Sequence, residues 1–303
     1  MNTLIVPPSL HKGDKVAIVS PSGKIDKSFI KGACQRLESW ELNVMVSKHA
    51  AGSSGRYAGT IRQRLADLQA AMDDKEVKAI LCSRGGYGAI HLVGKLHFDR
   101  FRAQPKWLIG FSDITALHSL FQQQGFVSLH APMGRHLTVE PEDDPCTLHL
   151  KEILFGNFPL YTCPKHRLNR TGTARGILRG GNLSVFYGLR GTPYDLPAQG
   201  TILFIEDVSE RPHAIERMMY NLKLGGILEN LSGLIIGQFT EYEEDRSLGK
   251  VLYGALSDLL KDCAYPICFN FPVGHATNNL PLLCGKEITL TVDKTGTELK
   301  FME

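Results

Sequence analysis

Short apolar runs alternate with amphipathic stretches through the first half of the chain. KVAIVS (15–20) is apolar and ends on Pro21-Ser22-Gly23, a turn signal. Phe29, Ile30, Ala33, Leu37 and Trp40 then recur at helical spacing. NVMVS follows as a second strand. Ile61, Leu65, Leu68 and Met72 mark a second helix, and VKAILCS (77–83) a third, buried strand. GAIHLVGKL reads as a helix, PKWLIG as a strand ending at Gly110, DITALHSLFQQQ as a helix and FVSLH (126–130) as a strand. Continuous apolar strands separated by amphipathic helices predict a mainly parallel sheet covered on both faces. In such sheets ligands bind at the carboxyl ends of strands. Two loops of unusual composition fall there: SRGGYG after VKAILCS, and FSD after KWLIG.

The pattern changes near 140–172. PEDDP and FGNFPLYTCPKHRLNRTGT read as surface connection, which predicts a first domain over 1–155, a linker over 156–172 and a second domain over 173–303. In the second half GTARGIL, GTILFIED, LSGLIIGQF, YPICFNFPVGH, EITLTV and TELKFM read as strands, with Asp293-Lys-Thr-Gly296 a hairpin turn between the last two. RPHAIERMMYNLKLGGIL is an amphipathic helix with Ile215, Met218, Met219 and Leu222 on one face, and GKVLYGALSDLL is another. Strict strand–helix alternation is lost here, and no internal repeat is visible. The fold class is α/β, with a parallel-sheet first domain and a mixed second one.

Composition narrows the functions. The 303 residues carry 34 basic and 31 acidic side chains, a net charge of +3. That excess is too small, and too interleaved, to argue for nucleic acid or an anionic membrane as partner. Seven cysteines occur with no CxxC pair, which points to reduced, mostly buried thiols. No segment reaches about 18 apolar residues, so no membrane span is expected. The first residues, MNTLIVPPSLHKGDK, lack a basic segment followed by a long apolar one, and a cytoplasmic location is the simplest expectation.

Ser112 sits on the strand-to-helix turn of LIGFSDITALH. A helix start offers unpaired N–H groups and the positive end of the dipole, a good place for a nucleophile whose product carries negative charge. A serine hydroxyl needs a base. His118 is six positions along the helix, about 240° from Ser112. His91 and His97 read as ordinary surface or core residues. His130 and His136 suggest a metal pair, but no carboxylate or cysteine completes a recognisable ligand set, so no metal is expected. His275 ends CFNFPVGH before the polar turn ATNN, and Glu206 ends TILFI. A carboxylate at the end of an apolar strand costs free energy unless it is partnered. Each has a plainer reading: Glu206 as a capping or salt-bridged residue, His275 as a satisfied loop histidine. Asp207 is better read as capping the helix that starts near Arg211. Together Ser112, Glu206 and His275 follow the order serine, acid, histidine of α/β-hydrolases, but Ile114 stands where that fold's GxSxG elbow needs glycine.

In SRGGYG, Gly85 and Gly86 permit positive φ and close approach of backbone N–H groups. There is neither GK[ST] nor GxGxxG, so a phosphate loop is not supported. Two readings remain. One is a tight strand-to-helix turn. The other has the N–H groups of Gly86 and Asp113 holding an oxyanion, with Arg84 and Tyr87 as substrate contacts and Arg84 meeting a carboxylate two-pronged. A surface salt bridge serves Arg84 equally well.

Several segments, in order and over nearly the whole length, give the chain a family likeness: SPSG (20–23), RYAGT (56–60), RQRLADL, SRGGYGA, GFSD, APM (131–133), RGGNLS (179–184), GTPY (191–194), IED with ERPHAIERM, IIGQF, PVGH and LPLLCG. The sequence resembles the LD-carboxypeptidase family of serine peptidases, which includes the microcin self-immunity proteins. The ending LPLLCG departs mildly from the family's more usual LPLG. The resemblance implies an N-terminal flavodoxin-like parallel-sheet domain and a C-terminal mixed β/α domain with the active site between them. It implies Ser112 as nucleophile, Glu206 as acid and His275 as base, with no cofactor. The implied activity is release of a terminal D-alanine from cytoplasmic murein tetrapeptides during peptidoglycan recycling. A microcin-immunity-like hydrolysis of peptidyl-nucleotide antibiotics is the alternative within the family, and a non-catalytic muropeptide-binding protein the alternative outside enzymes. Members often form homodimers, although no surface stripe in this sequence identifies one.

Overall fold

The first five apolar runs become β1 (Lys15–Val19), β2 (Asn43–Val46), β3 (Val77–Cys82), β4 (Trp107–Gly110) and β5 (Ser128–His130). All five are parallel, in the spatial order β5-β4-β3-β1-β2. This is the doubly wound order whose reversal, between β1 and β3, opens a crevice at the carboxyl ends of those strands. Val16, Ala17, Ile18 and Val19 are wholly buried, as a strand covered on both faces requires. The intervening helices are α1 (Lys27–Ser39), α2 (Ile61–Asp73), α3 (Asp99–Ala103), α4 (Thr115–Gln123), α5 (Gly134–Val139) and α6 (Pro145–Leu154). Right-handed crossovers on either side of β1 send α1 and α2 to opposite faces; α1 packs against α5, and α2 against α3. Thr60 and Gln63 form a reciprocal capping box that starts α2, which fixes the helix that carries the buried Arg64.

The computed structural model describes residues 4–245, 247 and 249–302. The chain divides into two units, one of Met1–Phe158 with Leu280–Cys284, the other of Pro159–Asn279 with Gly285–Glu303. The second unit contains β6 (Leu160–Pro164), β7 (Gly172–Asn182), α7 (Leu183–Gly188), β8 (Thr201–Val208), α8 (Pro212–Leu224), β9 (Gly233–Thr240), α9 (Leu252–Leu259) and β10 (Ile267–Gly274). Next, β11 (Leu282–Cys284) pairs antiparallel with β5 in the first sheet. The chain ends in β12 (Glu287–Val292) and β13 (Gly296–Phe301), joined by the expected turn, where Asp293 Oδ1 accepts from the N–H groups of Thr295 and Gly296. The second sheet runs β10-β9-β8-β7-β12-β13-β6, parallel among its first four strands and antiparallel beyond. It curls until its end strands meet: Tyr161 of β6 lies edge-on to Phe271 of β10, centroids 6.5 Å apart, and Cys163 Sγ is 3.9 Å from Cys268 Sγ. Leu183 and Phe186 of α7, Ile215, Met219 and Leu222 of α8, and Leu252 and Leu256 of α9 bury one face of β8, β9 and β10. The fold class is therefore the α/β arrangement expected from the sequence.

Three local expectations are corrected. GAIHLVGKL does not form an α-helix: Gly88 at φ +130° and Gly94 at φ +79° break the geometry, and Ala89–His91 makes a single 3-10 turn. The stretch 156–172, read as connection, contains β6, which pairs with β13 because Tyr161 and Cys163 alternate inward. The surface reading around 140–155 misses α6, which starts on the Asp144 cap and Pro145.

Candidate active site

In the first unit the loops following β1, β3 and β4 meet. The turn after β4 begins with Ser112, held at φ +65°. A non-glycine residue in the left-handed region stores roughly 1–3 kcal/mol and persists only where its surroundings enforce it. The enforcing neighbour is Gly85: a Cβ there would lie 2.7 Å from Ser112 Cβ and 3.0 Å from its Oγ. Only glycine lets the loop after β3 come this close. Gly86 follows at φ +106°. Ser112 opens a 3-10 turn, Ser112–Ile114, that leads into α4.

Asp113 is buried. Its Oδ2 accepts from Ser22 Oγ and, at 2.8 Å, from the N–H of Ala89. Burial raises its pKa; the Ala89 and Ser22 hydrogen bonds and the charges of Arg64 and His91 pull the other way without prevailing. Arg64 donates through Nη1 to the carbonyls of Pro21 and Gly88, at 2.6 and 2.8 Å, and through Nη2 to His91 Nδ1 at 3.1 Å. His118 is no base for Ser112. Its Nε2 donates to Gly110 O and its Nδ1 accepts from Ser128 Oγ, both at 2.8 Å, and burial pushes its pKa down to about 4. It is a neutral imidazole that ties β4 to β5.

In the second unit β8 delivers Glu206 and the end of β10 delivers His275. The β8–β9 register slips between Ile205 and Asp207, and the β10–β9 register between Phe269 and Gly274. Bulges of this kind re-aim side chains next to functional sites. Glu206 is fully buried, and its Oε2 lies 2.7 Å from His275 Nδ1. An ionised carboxylate only accepts, so the imidazole proton sits on Nδ1 and leaves Nε2 as the basic nitrogen. Burial alone would lower the His275 pKa; the hydrogen bond and charge of Glu206, with the charges of Asp207 and Glu241, outweigh it and raise the pKa above its ordinary value. Gly274, at φ +130°, makes the approach possible: a Cβ there would lie 2.9 Å from Glu206 Cβ and 3.0 Å from Glu206 Oε2. The Gly274 N–H donates to Asn279 Oδ1 at 3.0 Å.

The candidate residues thus fall into two sets. Ser112 and Asp113 lie against the Gly85-Gly86 loop, and Glu206 pairs with His275. Arg84 donates to Lys24 O at 2.9 Å rather than to a carboxylate, and the exposed Tyr87 ring packs by Tyr57 and His91. Asp207 does not cap the helix near Arg211. It accepts from Asn182 Nδ2 and from the Ser184 N–H, both at 2.8 Å, and so anchors the start of α7; burial pushes its pKa up to about 6. His136 does not join His130 in a metal pair, since its Nε2 bonds Asp144 Oδ2 at 2.8 Å. Among the described residues no group of three His, Cys, Asp or Glu side chains is placed to hold a metal ion, and no helix is long and apolar enough to cross a membrane. Residue-level reading missed the Ser22, Arg64 and Asn279 contacts. Only their neighbourhood was marked, by the Pro-Ser-Gly turn, the arginine-bearing helix and the polar ATNN turn.

The two domain profiles that match these two units, the doubly wound sheet and the curled mixed sheet, are those of a serine carboxypeptidase. Residues 16–131 match the profile of the LD-carboxypeptidase N-terminal domain and residues 175–290 that of the LD-carboxypeptidase C-terminal domain; the chain belongs to the LD-carboxypeptidase family. It is 33% identical over 298 residues to the "Probable murein peptide carboxypeptidase" of Bacillus subtilis, covering 96% of this chain and 93% of that one. The crystal structure of muramoyltetrapeptide carboxypeptidase from Oxalobacter formigenes is 26% identical, with a TM-score of 0.86 over 95% of this chain and 99% of that one. An MccF-like protein from Bacillus anthracis shares the fold, at 23% identity and a TM-score of 0.86 over 99% of this chain and 100% of that one.

Proposed function

We propose that this chain is an LD-carboxypeptidase that removes the terminal D-alanine of murein tetrapeptides in the cytoplasm, as a step in reuse of cell-wall peptides. His275 Nε2 takes the proton of Ser112 Oγ, which attacks the scissile carbonyl. Glu206 holds the imidazole by Nδ1 and stabilises the imidazolium that forms. The N–H groups of Gly86 and Asp113 receive the oxyanion. His275 then gives its proton to the departing amine of D-alanine, and water, activated by the same imidazole, releases the tripeptide from Ser112. Arg84 and Tyr87, on the exposed side of the glycine loop, are the proposed contacts for the substrate's terminal carboxylate and peptide.

The observation that carries the reading is the His275–Glu206 couple. A carboxylate wholly removed from water is costly, and here its one bonded oxygen is spent on orienting an imidazole whose other nitrogen is left basic. The test is mass spectrometry of a diaminopimelate-containing tetrapeptide incubated with purified protein. Release of D-alanine, lost in Ser112→Ala with a fall in kcat of about 10⁴–10⁶-fold, is the expected result. Hydrolysis of a peptidyl-nucleotide but not of the tetrapeptide would replace this substrate with the microcin type. Tetrapeptide binding without turnover, and without Ser112 labelling by a fluorophosphonate, would make the chain a binding protein.

A further inference from the structure

The side chain of Asp113 has no part in the reaction above, where only its N–H serves. Yet its position is unusual. The residue lies in the turn after β4, immediately beyond Ser112. Its Oδ2 reaches the loop after β1 through Ser22 Oγ and the loop after β3 through the Ala89 N–H, 2.8 Å away. Three loops from three adjacent strands therefore converge on one carboxylate oxygen. Arg64 makes the complementary bracket from α2. Its Nη1 donates to Pro21 O in the first loop and to Gly88 O in the third. A last link closes the frame at the other end of the glycine segment, where the Gly23 N–H donates to Gly85 O at 3.0 Å.

The segment Gly85–Gly88 is thus pinned at both ends, by Gly23 at its start and by Asp113 and Arg64 at its finish. Glycines at 85, 86 and 88 leave the half-exposed Tyr87 ring, beside Tyr57 and His91, as its one side-chain contact, and have the largest backbone freedom of any residue type. Gly85 presses on Ser112 so closely that a Cβ would lie 2.7 Å from Ser112 Cβ. Donors aimed at developing charge act only if fixed before the reaction, since reorganising them during it spends their advantage. A glycine loop cannot fix itself.

We propose that the Asp113 carboxylate is a positioning residue, which holds the Gly85–Gly86 backbone at a set distance from Ser112 for the transition state by tethering the loops after β1 and β3 to the nucleophile turn. The inference rests on Ser112 being the nucleophile.

The test compares Asp113→Ala, Asp113→Asn and Ser22→Ala with the native enzyme in tetrapeptide turnover, in fluorophosphonate labelling of Ser112, and in thermal unfolding. Freeing one oxyanion donor costs about 10²–10³-fold, so Asp113→Ala is expected to lose about that factor in kcat and in labelling rate with KM little changed. Asp113→Asn keeps an oxygen able to take the place of Oδ2 and should recover at least about tenfold of that loss. A carboxylate that only stabilised the fold would lower the unfolding midpoint and leave the kcat of folded protein, and its labelling rate, untouched. Native-like kcat in folded Asp113→Ala, or a loss confined to KM, overturns the proposal. If Asp113→Ala does not fold, Ser22→Ala decides: a fall in kcat of about threefold or more at constant KM supports the tether, and an unchanged kcat overturns it. Ser112→Ala separates the two levels. If it is inactive while the Asp113 variants are native-like, positioning alone fails; if it stays active, the nucleophile assignment fails and positioning with it.

Discussion

Replacing Glu206 by glutamine removes one charge and almost no volume, and its effect can be worked from the geometry. Glu206 is wholly buried, its Oε2 bonds His275 Nδ1 at 2.7 Å, and its Oε1 is buried without a hydrogen-bond partner. A glutamine has two choices there. With its oxygen toward Nδ1, its amide N–H groups fill the unpartnered position and go unsatisfied. With its amide toward Nδ1, it forces the proton onto Nε2 and leaves no base. In either case the ion pair that the proposed reaction forms, when His275 takes the serine proton, is lost. Breaking a buried pair costs about 3–5 kcal/mol, which at about 1.36 kcal/mol per tenfold is a fall in kcat of about 10²–10⁴-fold. The loss belongs to kcat, since the full pair exists only once the imidazole is charged. The variant also reports on titration. In the native protein burial, which lowers the His275 pKa, is outweighed by Glu206, Asp207 and Glu241. Without the Glu206 charge burial gains, so the pKa falls and the acid limb of the kcat/KM profile moves to lower pH. The stability linkage has the matching sign. The raised pKa gives native protein a contribution fully present below the unfolded histidine value and lost as pH rises through the folded one, and Glu206→Gln loses most of it. The assay is D-alanine release across pH 5 to 9 with both proteins. A kcat within about tenfold of native, or an acid limb that does not move, refutes the reasoning.

Gly274→Ala places a methyl 2.9 Å from Glu206 Cβ at a backbone φ of +130°; circular-dichroism melting should show a lower unfolding midpoint, and turnover of the folded fraction should fall at least about 10²-fold as the carboxylate is displaced. Ser112→Ala should abolish turnover and fluorophosphonate labelling yet melt close to native, because the alanine keeps the Cβ that packs on Gly85. Asp207 has its pKa pushed up to about 6 from an ordinary 3.8. Folded protein therefore holds a proton the unfolded chain has lost, and native stability should decline as pH rises between those values. In urea titrations Asp207→Asn should flatten that part of the curve, and an identical pH dependence in both proteins would show that Asp207 ionises freely.

Where periodicity was strong the elements were legible. Ile30, Ala33 and Leu37 mark the buried face of α1, and Ile215, Met218, Met219 and Leu222 that of α8. The elements that escaped are those whose form depends on distant partners. β6 exists because β13 offers an edge, and β11 because β5 does. GAIHLVGKL carries a helical pattern, but glycines held at positive φ stop the helix from forming. The site follows the same division. Titratable groups at strand ends were visible as anomalies, since Glu206 closes an apolar run. The glycine contacts at Gly85 and Gly274 and the tether from Ser22 to Asp113 were not, because each depends on which loops the sheet order makes neighbours.

The seating of β11 on the β5 edge of the first sheet governs how this protein can be inherited and dissected. Leu280–Cys284 is lent by the later part of the chain to the earlier, so a gene fragment ending near residue 158 yields a sheet with β5 as a raw edge, open to pairing with other chains. The complementary fragment carries an apolar ribbon, Leu280 to Cys284, with no sheet to enter. Neither half is a module that recombination could transplant with one crossover. Splitting the enzyme for complementation would call for a synthetic second copy of that five-residue loan in the amino-terminal piece.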